Sequence, residues 1–513
     1  MAKKARFFVI FFHFLSFSFQ TLAIEYKAAA FEHHPYFVLN PLPFTREEAL
    51  QIMRRNTAVY SEQARAAHQQ EVQIIVFPED GLYGFYHSRE TIKPYLEPIP
   101  NVSDVTYSIP CTDPKPNTEI LQELSCIARN NSIGVVANMG DIQYCAKSDP
   151  NCPQDGRYQY NTDVVFDSDG RLLAKYHKQH LYHEEAFNTP TECEFVTFVT
   201  SFQVRFGVFT CFDMLFKDPA IDLVQSYGVE NIVFPTAWFK GFPGLISIEF
   251  QQAWSRVNCV NLIAANLYFP GINFTGSGIY NCGEVKTYVY DKEPIKQRLL
   301  TATLSGTKQI SKNDMNDVLD HKAKQYRRDT EMFEEFGPEG KISQLNVNNG
   351  NELHLSTNTF KVPLMGNLFT VTKLIASARE LSVCAGGLCC NLKYSLPDGR
   401  KFTETFAMGT FKGDNPNGYY WEVCLLFKCA SNKETSCGKD VVDSGTVFES
   451  FSMYANFSSN AFVFPTALGN GVSLFSKEKI KFRKKGISGE AFEKPLLAAS
   501  LIGRVFGKDK PQE

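Results

Sequence analysis

Phe206-Gly-Val-Phe-Thr-Cys-Phe-Asp213 is an apolar run that stops abruptly at a cysteine, a phenylalanine and an aspartate. Such a run reads as a buried strand, and it delivers one thiol, Cys211, to its own C-terminal tip. In open α/β sheets that tip is where ligands and chemistry collect. Two other strand ends in the same half of the chain carry a glutamate and a lysine. Ile74-Ile-Val-Phe-Pro78 runs into Glu79, with Asp80 beside it, and Ala174-Lys-Tyr-His177 runs into Lys178. A carboxylate at an apolar strand tip has its pKa raised by desolvation, which suits a general base. Asp80 suits the part as well, and spacing alone does not choose. A fixed ammonium stabilises a developing oxyanion. A cation beside a thiol favours the thiolate, the nucleophilic form. Singly, each residue has an ordinary alternative: a salt-bridged glutamate, a solvated lysine, a buried cysteine or one paired with Cys193 or Cys259. As a set, base, cation and nucleophile point to a thiol hydrolase.

The strands around these tips alternate with helices from Ile24 to about Val289. Thr45-Arg-Glu-Glu48 is a capping box that opens a helix running to about Gln70. Helices are also expected over 117–130, 219–227 and 246–260, and strands over 26–31, 72–77, 133–139, 204–209, 231–234 and 262–266. Asp167-Ser-Asp-Gly170 is a hairpin turn between strands at 163–166 and 172–176. Apolar strands between amphipathic helices imply a sheet covered on at least one face. After about residue 290 the character changes. Residues 314–350 are polar and charged and read as a linker or peripheral helix. From about His354 short alternating strands recur between turn signals such as Asp414-Asn-Pro-Asn-Gly418, which predicts a mostly β second domain. The expected division is a signal at 1–23, a catalytic domain at 24–310, a linker at 311–350 and a β-rich domain at 351–513.

Whole-chain properties narrow the classes. A chain of 513 residues exceeds one ordinary core. Its 44% hydrophobic and 21% charged content describes a globular protein rather than a disordered one. A formal net charge of −3 gives no reason to invoke nucleic acid or an acidic membrane surface. Lys3, Lys4 and Arg6, then an apolar stretch from Phe7 to Phe19, then Thr21-Leu22-Ala23, read as a cleaved secretory signal. That stretch is short of the roughly 20 residues a membrane span needs. The last residues, Gly507 to Glu513, carry no hydrophobic tail that would signal a lipid anchor. A soluble, secreted protein is expected, with no membrane span. Fourteen cysteines fit export, because disulfides persist outside the cytosol. Cys111, Cys126, Cys145 and Cys152 form one group; Cys384, Cys389, Cys390, Cys424, Cys429 and Cys437 form another. No histidine lies near the second group, so disulfides are expected there rather than zinc, with the pairing open. Asn101, Asn130, Asn273 and Asn456 head glycosylation sequons and are expected on surface loops.

The motifs resemble the vanin and biotinidase family of the nitrilase superfamily. The resemblance rests on Phe77-Pro-Glu-Asp80, Gly156-Arg-Tyr-Gln-Tyr-Asn-Thr-Asp-Val-Val-Phe166, Lys175-Tyr-His-Lys178, Phe209-Thr-Cys-Phe-Asp213, Phe234-Pro-Thr-Ala-Trp238 and Thr275-Gly-Ser-Gly-Ile-Tyr280. It extends to Gly387-Leu-Cys-Cys390 in the second domain. It implies an α-β-β-α sandwich followed by a smaller, mostly β domain stapled by disulfides. It also implies Glu79 as proton acceptor, Lys178 as proton donor or oxyanion partner, Cys211 as nucleophile and the Phe212 N–H as an oxyanion donor. A second glutamate follows the lysine in many such enzymes, and Glu184 fits, with Glu185 competing. The implied reaction is hydrolysis of pantetheine through a Cys211 thioester; biocytin is the alternative substrate. No metal or organic cofactor is required, since the thiol supplies the covalent step. Two other classes stay open: a Cys-His hydrolase using His177, His180 or His183, and a secreted binding protein that keeps the fold without catalysis.

Overall fold

A computed structural model describes residues 23–39, 44–102, 109–239, 241–290, 298–307, 358–375, 379–397, 400–483 and 485–510. The signal expected at 1–23, up to its last residue, and the linker expected at 311–350 lie outside the described residues.

Two sheets of six strands build the catalytic half. The strands are β1 (Ala23–Glu32), β2 (Ile74–Val76), β3 (Gly134–Tyr144), β4 (Arg157–Phe166), β5 (Leu172–His177), β6 (Thr197–Val199), β7 (Arg205–Val208), β8 (Asn231–Thr236), β9 (Asn261–Asn266), β10 (Ser277–Asn281), β11 (Glu284–Val289) and β12 (Arg298–Thr307). One sheet runs β12-β1-β2-β3-β4-β5 and the other β11-β10-β9-β8-β7-β6. In each, the central strands pair in parallel: β1-β2-β3 in the first, β7-β8-β9 in the second. Period-two alternation explains the layering. Ala28, Ala30, Ile74 and Val76 face the second sheet, among Phe206, Val208, Phe234 and Ala264. Their neighbours Ala29, Ile75 and Phe77 face outward onto helix α1 (Arg46–His68) and helix α2 (Glu119–Asn131), through Met53, Tyr60, Leu121 and Leu124. The Thr45 capping box is present, and it starts α1 where the sequence placed it. Helix α3 (Ser247–Asn258) covers the outer face of the second sheet through residues such as Phe250 and Trp254. The result is the expected α-β-β-α sandwich. The helix expected over 219–227 is shorter: a π turn at Lys217–Ile221 leads into one α-turn at Asp222–Gln225.

The second half is a β-sandwich of a seven-stranded and a five-stranded sheet. Strand Phe462–Gly469 of the larger sheet lies against α3, with Phe464 edge-tilted on Phe250 at 5.1 Å. One apolar cluster therefore runs continuously from the first sheet pair into the second domain. Six disulfides are present: Cys111–Cys126, Cys145–Cys152, Cys259–Cys282, Cys384–Cys389, Cys390–Cys424 and Cys429–Cys437. The bridge from Cys259 to Cys282 removes Cys259 as a partner for Cys211; Cys193 and Cys211 remain free.

Glu249 sits in this interface and accepts a hydrogen bond from the Thr466 hydroxyl at 2.5 Å. Burial pushes its carboxyl up from 4.5 to about 7, against the pull of that bond. The folded chain thus keeps a proton that the unfolded chain releases. Its contribution to stability is full below about pH 4.5 and is lost as pH rises through about 7. Glu249→Gln is expected to flatten this decline, by up to roughly 3 kcal/mol at pH 8. Thermal unfolding at pH 5 and pH 8 checks it; an unchanged slope in the variant refutes it.

Candidate active site

Three strand ends meet in one buried pocket of polar groups. Glu79 follows β2, Lys178 follows β5 directly, and Cys211 follows β7. The Lys178 Nζ donates to Glu79 Oε1 at 2.6 Å and also to Glu184 Oε1. The three side chains are nearly sealed: 1% exposed for Lys178, 2% for Glu79 and 15% for Glu184. Burial pulls the Lys178 ammonium down, but the carboxylates of Glu184 and Glu79 outweigh it and hold the group well above its ordinary range. Glu79 Oε1 also accepts from Asn161 Nδ2 at 2.8 Å, and Oε2 accepts from the Ala237 N–H at 2.9 Å. Each oxygen of the carboxylate thus has a fixed donor, which sets its direction.

Glu184 and Glu185 point in different directions. Glu184 turns inward, where Asn161 Nδ2 donates to its Oε2 at 2.8 Å, while Glu185 is exposed. Asp80 lies beside the cluster with a positive φ of 56° and a buried carboxyl. Burial, and then the charge of Glu79, push its pKa well up.

Cys211 lies at the first position of a 3-10 turn, Cys211–Leu215, with φ at +44°. A side-chain-bearing residue holds that left-handed conformation only where its surroundings fix it. Here Asp213 does so. It accepts from the Thr210 N–H at 3.0 Å, the Tyr176 hydroxyl at 2.7 Å and the His180 N–H at 2.8 Å. The sharp turn aims the thiol toward Glu79 and Lys178, and leaves the Phe212 N–H in the first turn, where no intrahelical acceptor exists. Burial raises the Cys211 pKa well above the ordinary thiol value, and Glu79 adds to this; Lys178 and the Thr236 hydroxyl pull back without prevailing. Burial and the adjacent carboxylate together outweigh the cation's pull toward the thiolate.

Behind the cluster lies a layer that strand-end reasoning missed. Asn138 on β3 donates to Asn161 Oδ1 at 2.6 Å and to Asp163 Oδ1 at 2.9 Å. Asp163 in turn accepts from the Thr210 hydroxyl at 2.6 Å, one residue before the cysteine. Burial pushes the Asp163 carboxyl up to about 8. The signal available was the polar triplet Asn161-Thr-Asp163 next to the apolar end, Val164-Val-Phe166, of its strand.

The histidines of the Cys-His alternative are turned to other partners. The ring of His177 bridges Asp141 at 2.9 Å and Glu194 at 2.8 Å. His180 Nε2 faces the Asp218 carbonyl, and its ring stacks on Phe216 at 3.7 Å. His183 is exposed and stands edge-on to Tyr182. The charged groups acting on the thiol are Glu79 and Lys178. Among the sequons, Asn101, Asn273 and Asn456 are exposed, and so is Asn130. Asn130, however, lies in the last turn of α2 rather than on a loop. The helix expected over 117–130 already reaches this residue, and the observed one ends at Asn131.

A solved amidase from Nesterenkonia sp. is similar over 57% of this chain and 95% of that one, at 20% identity and a TM-score of 0.38. Residues 41–251 match the carbon-nitrogen hydrolase family, and residues 359–509 match the vanin C-terminal domain. The chain is 40% identical to the pantetheinase of Sus scrofa, over 94% of this chain and 89% of that one. It is 36% identical to the biotinidase of Mus musculus, over 94% of this chain and 93% of that one. The chain therefore belongs to the vanin and biotinidase family of carbon-nitrogen hydrolases, and it is an amidohydrolase.

Proposed function

We propose that this protein is a secreted thiol amidohydrolase that splits pantetheine into pantothenate and cysteamine. The observation that carries the reading is the burial of Glu79 and Lys178 in direct contact, with both acting on a free Cys211. A protonated thiol needs a base at the moment of attack, and the fixed Glu79 carboxylate is the neighbour suited to it. Glu79 takes the Cys211 proton as sulfur bonds to the amide carbon. The oxyanion is held by Lys178 and the Phe212 N–H; losing one such donor typically costs about 3 kcal/mol of barrier. Glu79 then gives its proton to the amine nitrogen, the C–N bond breaks, and cysteamine leaves. The acyl thioester remains on Cys211 until Glu79 activates a water, which releases the acid and returns the proton to sulfur. Glu184 holds Lys178 in place through their ion pair.

Pantetheinase relatives support pantetheine as the amide, while the biotinidase relatives support biocytin as the second reading. Export is supported by six disulfides, which persist outside the cytosol. Glycans are proposed at Asn101, Asn130, Asn273 and Asn456. Purified protein offered both amides is expected to favour pantetheine by at least about tenfold in kcat/KM, a margin that a few pocket contacts provide. Faster biotin release than cysteamine release reverses the substrate assignment.

A further inference from the structure

The turn that carries Cys211 is fixed at its start by Asp213 and Asp163, both from the catalytic half. Its far end is held from the other half of the molecule. Arg504, the last residue of strand Leu496–Arg504, has a side chain that is 0% exposed. Its Nε donates to the Leu215 carbonyl at 2.7 Å, and Leu215 is the last residue of the Cys211–Leu215 turn. Its other hydrogen bonds are made inside its own domain. Nη1 donates to the Tyr420 carbonyl and to Asp509 Oδ1 at 3.0 Å; Nη2 donates to Asp509 Oδ2 at 2.6 Å. Asp509 also accepts from the Tyr420 N–H at 2.8 Å. The guanidinium lies over Tyr419 at 4.8 Å, and over Phe506 and Phe216 at 5.1 and 5.5 Å.

Tyr419 closes the arrangement. Its ring meets Phe212 edge-on at 5.9 Å and Phe216 at 6.2 Å. Phe212 is the residue next to the thiol. The second domain therefore touches the turn twice: by a charge-assisted hydrogen bond to its last carbonyl and by an aromatic contact to its second residue. A planar fork with five donors is suited to hold such a geometry, because few of its rotamers remain free.

We infer that Arg504, fixed by Asp509, is a positioning residue for the nucleophile, so that the second domain sets the direction of the Cys211 sulfur and of the Phe212 N–H. Removing the fork loosens the turn, exposes the sulfur and misdirects it. The inference rests on the reading of Cys211 as nucleophile given above. A misplacement of about 1 Å costs on the order of a hundredfold in rate.

The test uses the full-length protein carrying Arg504→Lys or Asp509→Asn. Turnover is measured with pantetheine, and Cys211 alkylation by iodoacetamide is followed on its own peptide, apart from Cys193. Expected are a kcat lower by roughly ten- to a hundredfold with KM little changed, and alkylation of Cys211 faster by about threefold or more. Thr466→Val, which alters the domain interface at Glu249 instead, is expected to leave both readings near wild type. Asp509→Asn keeps the shape of a partly exposed group while removing its charge and one acceptor of the Arg504 fork, so it decides the matter alone if Arg504→Lys does not fold. Wild-type kcat and alkylation in a folded Asp509→Asn protein overturn the inference, as does an equal change in Thr466→Val. Iodoacetamide needs only the thiol. Absent pantetheine turnover would therefore count against the proposed substrate, while the alkylation comparison still judges Arg504.

Discussion

Cys211→Ala is expected to lower amide hydrolysis by at least about 10⁴-fold while leaving the folded protein intact, since removing the attacking atom of a covalent mechanism leaves only binding and oxyanion stabilisation. The fold should tolerate the change. The sulfur is free, so no crosslink is lost. The positive φ of 44° at this position is enforced by Asp213 and its three donors, none of which uses the sulfur. Cysteamine release and thermal unfolding, measured side by side, check the two halves of the statement. Residual turnover above about one per cent would remove the thioester from the mechanism.

Lys178→Met is expected to behave in the opposite way, losing stability together with activity. The ammonium separates Glu79 from Glu184, and all three side chains are buried or nearly so. Taking away the central cation leaves two carboxylates facing each other out of water. Breaking such a cluster from one side typically costs about 3–5 kcal/mol, which for a domain of this size lowers the thermal midpoint by roughly 10 °C. The sign with pH follows from the same charges. In the variant, one carboxylate must carry a proton to be accommodated, so its folded pKa lies above the unfolded value. That contribution is intact in acid and is lost as pH rises. The gap in thermal midpoint between variant and wild type should therefore be wider at pH 8 than at pH 5. Equal midpoints at pH 8, with activity within tenfold of wild type, would contradict the role of Lys178 as the cluster's cation.

The residues legible in the sequence are those where a strand ends. Glu79, Lys178 and Cys211 stand out because a polar side chain follows buried strand residues directly. Asn138 and Asp163 stand inside strands, and their meaning depends on which strands become neighbours. Pairing of β3 with β4 brings Asn138 opposite Asp163, a register that no local pattern reveals. Ala237 contributes a backbone N–H, which leaves no trace in side-chain chemistry. Glu184 and Glu185 are adjacent on a loop, so only the direction of the chain separates them. The strand and helix alternation predicted a covered sheet; that two sheets stack face to face came from the family resemblance. Six clustered cysteines permit fifteen pairings, and only the folded arrangement selects one. Cys384 and Cys389, for example, are register partners on neighbouring strands.

The register of the first sheet also bears on how the chain is made. β1 lies between β2 and β12, and it pairs with β12 along its whole length, from Ala23 opposite Thr307 to Glu32 opposite Arg298. A ribosome adds residues at about 5–20 per second, so β1 waits tens of seconds for the strand that covers its flank. Throughout that interval the nascent chain presents an open hydrogen-bonding edge to its surroundings. Closing that edge is thus a late step in assembling the first sheet, and until residue 307 has emerged β1 stays open to pairing with other chains.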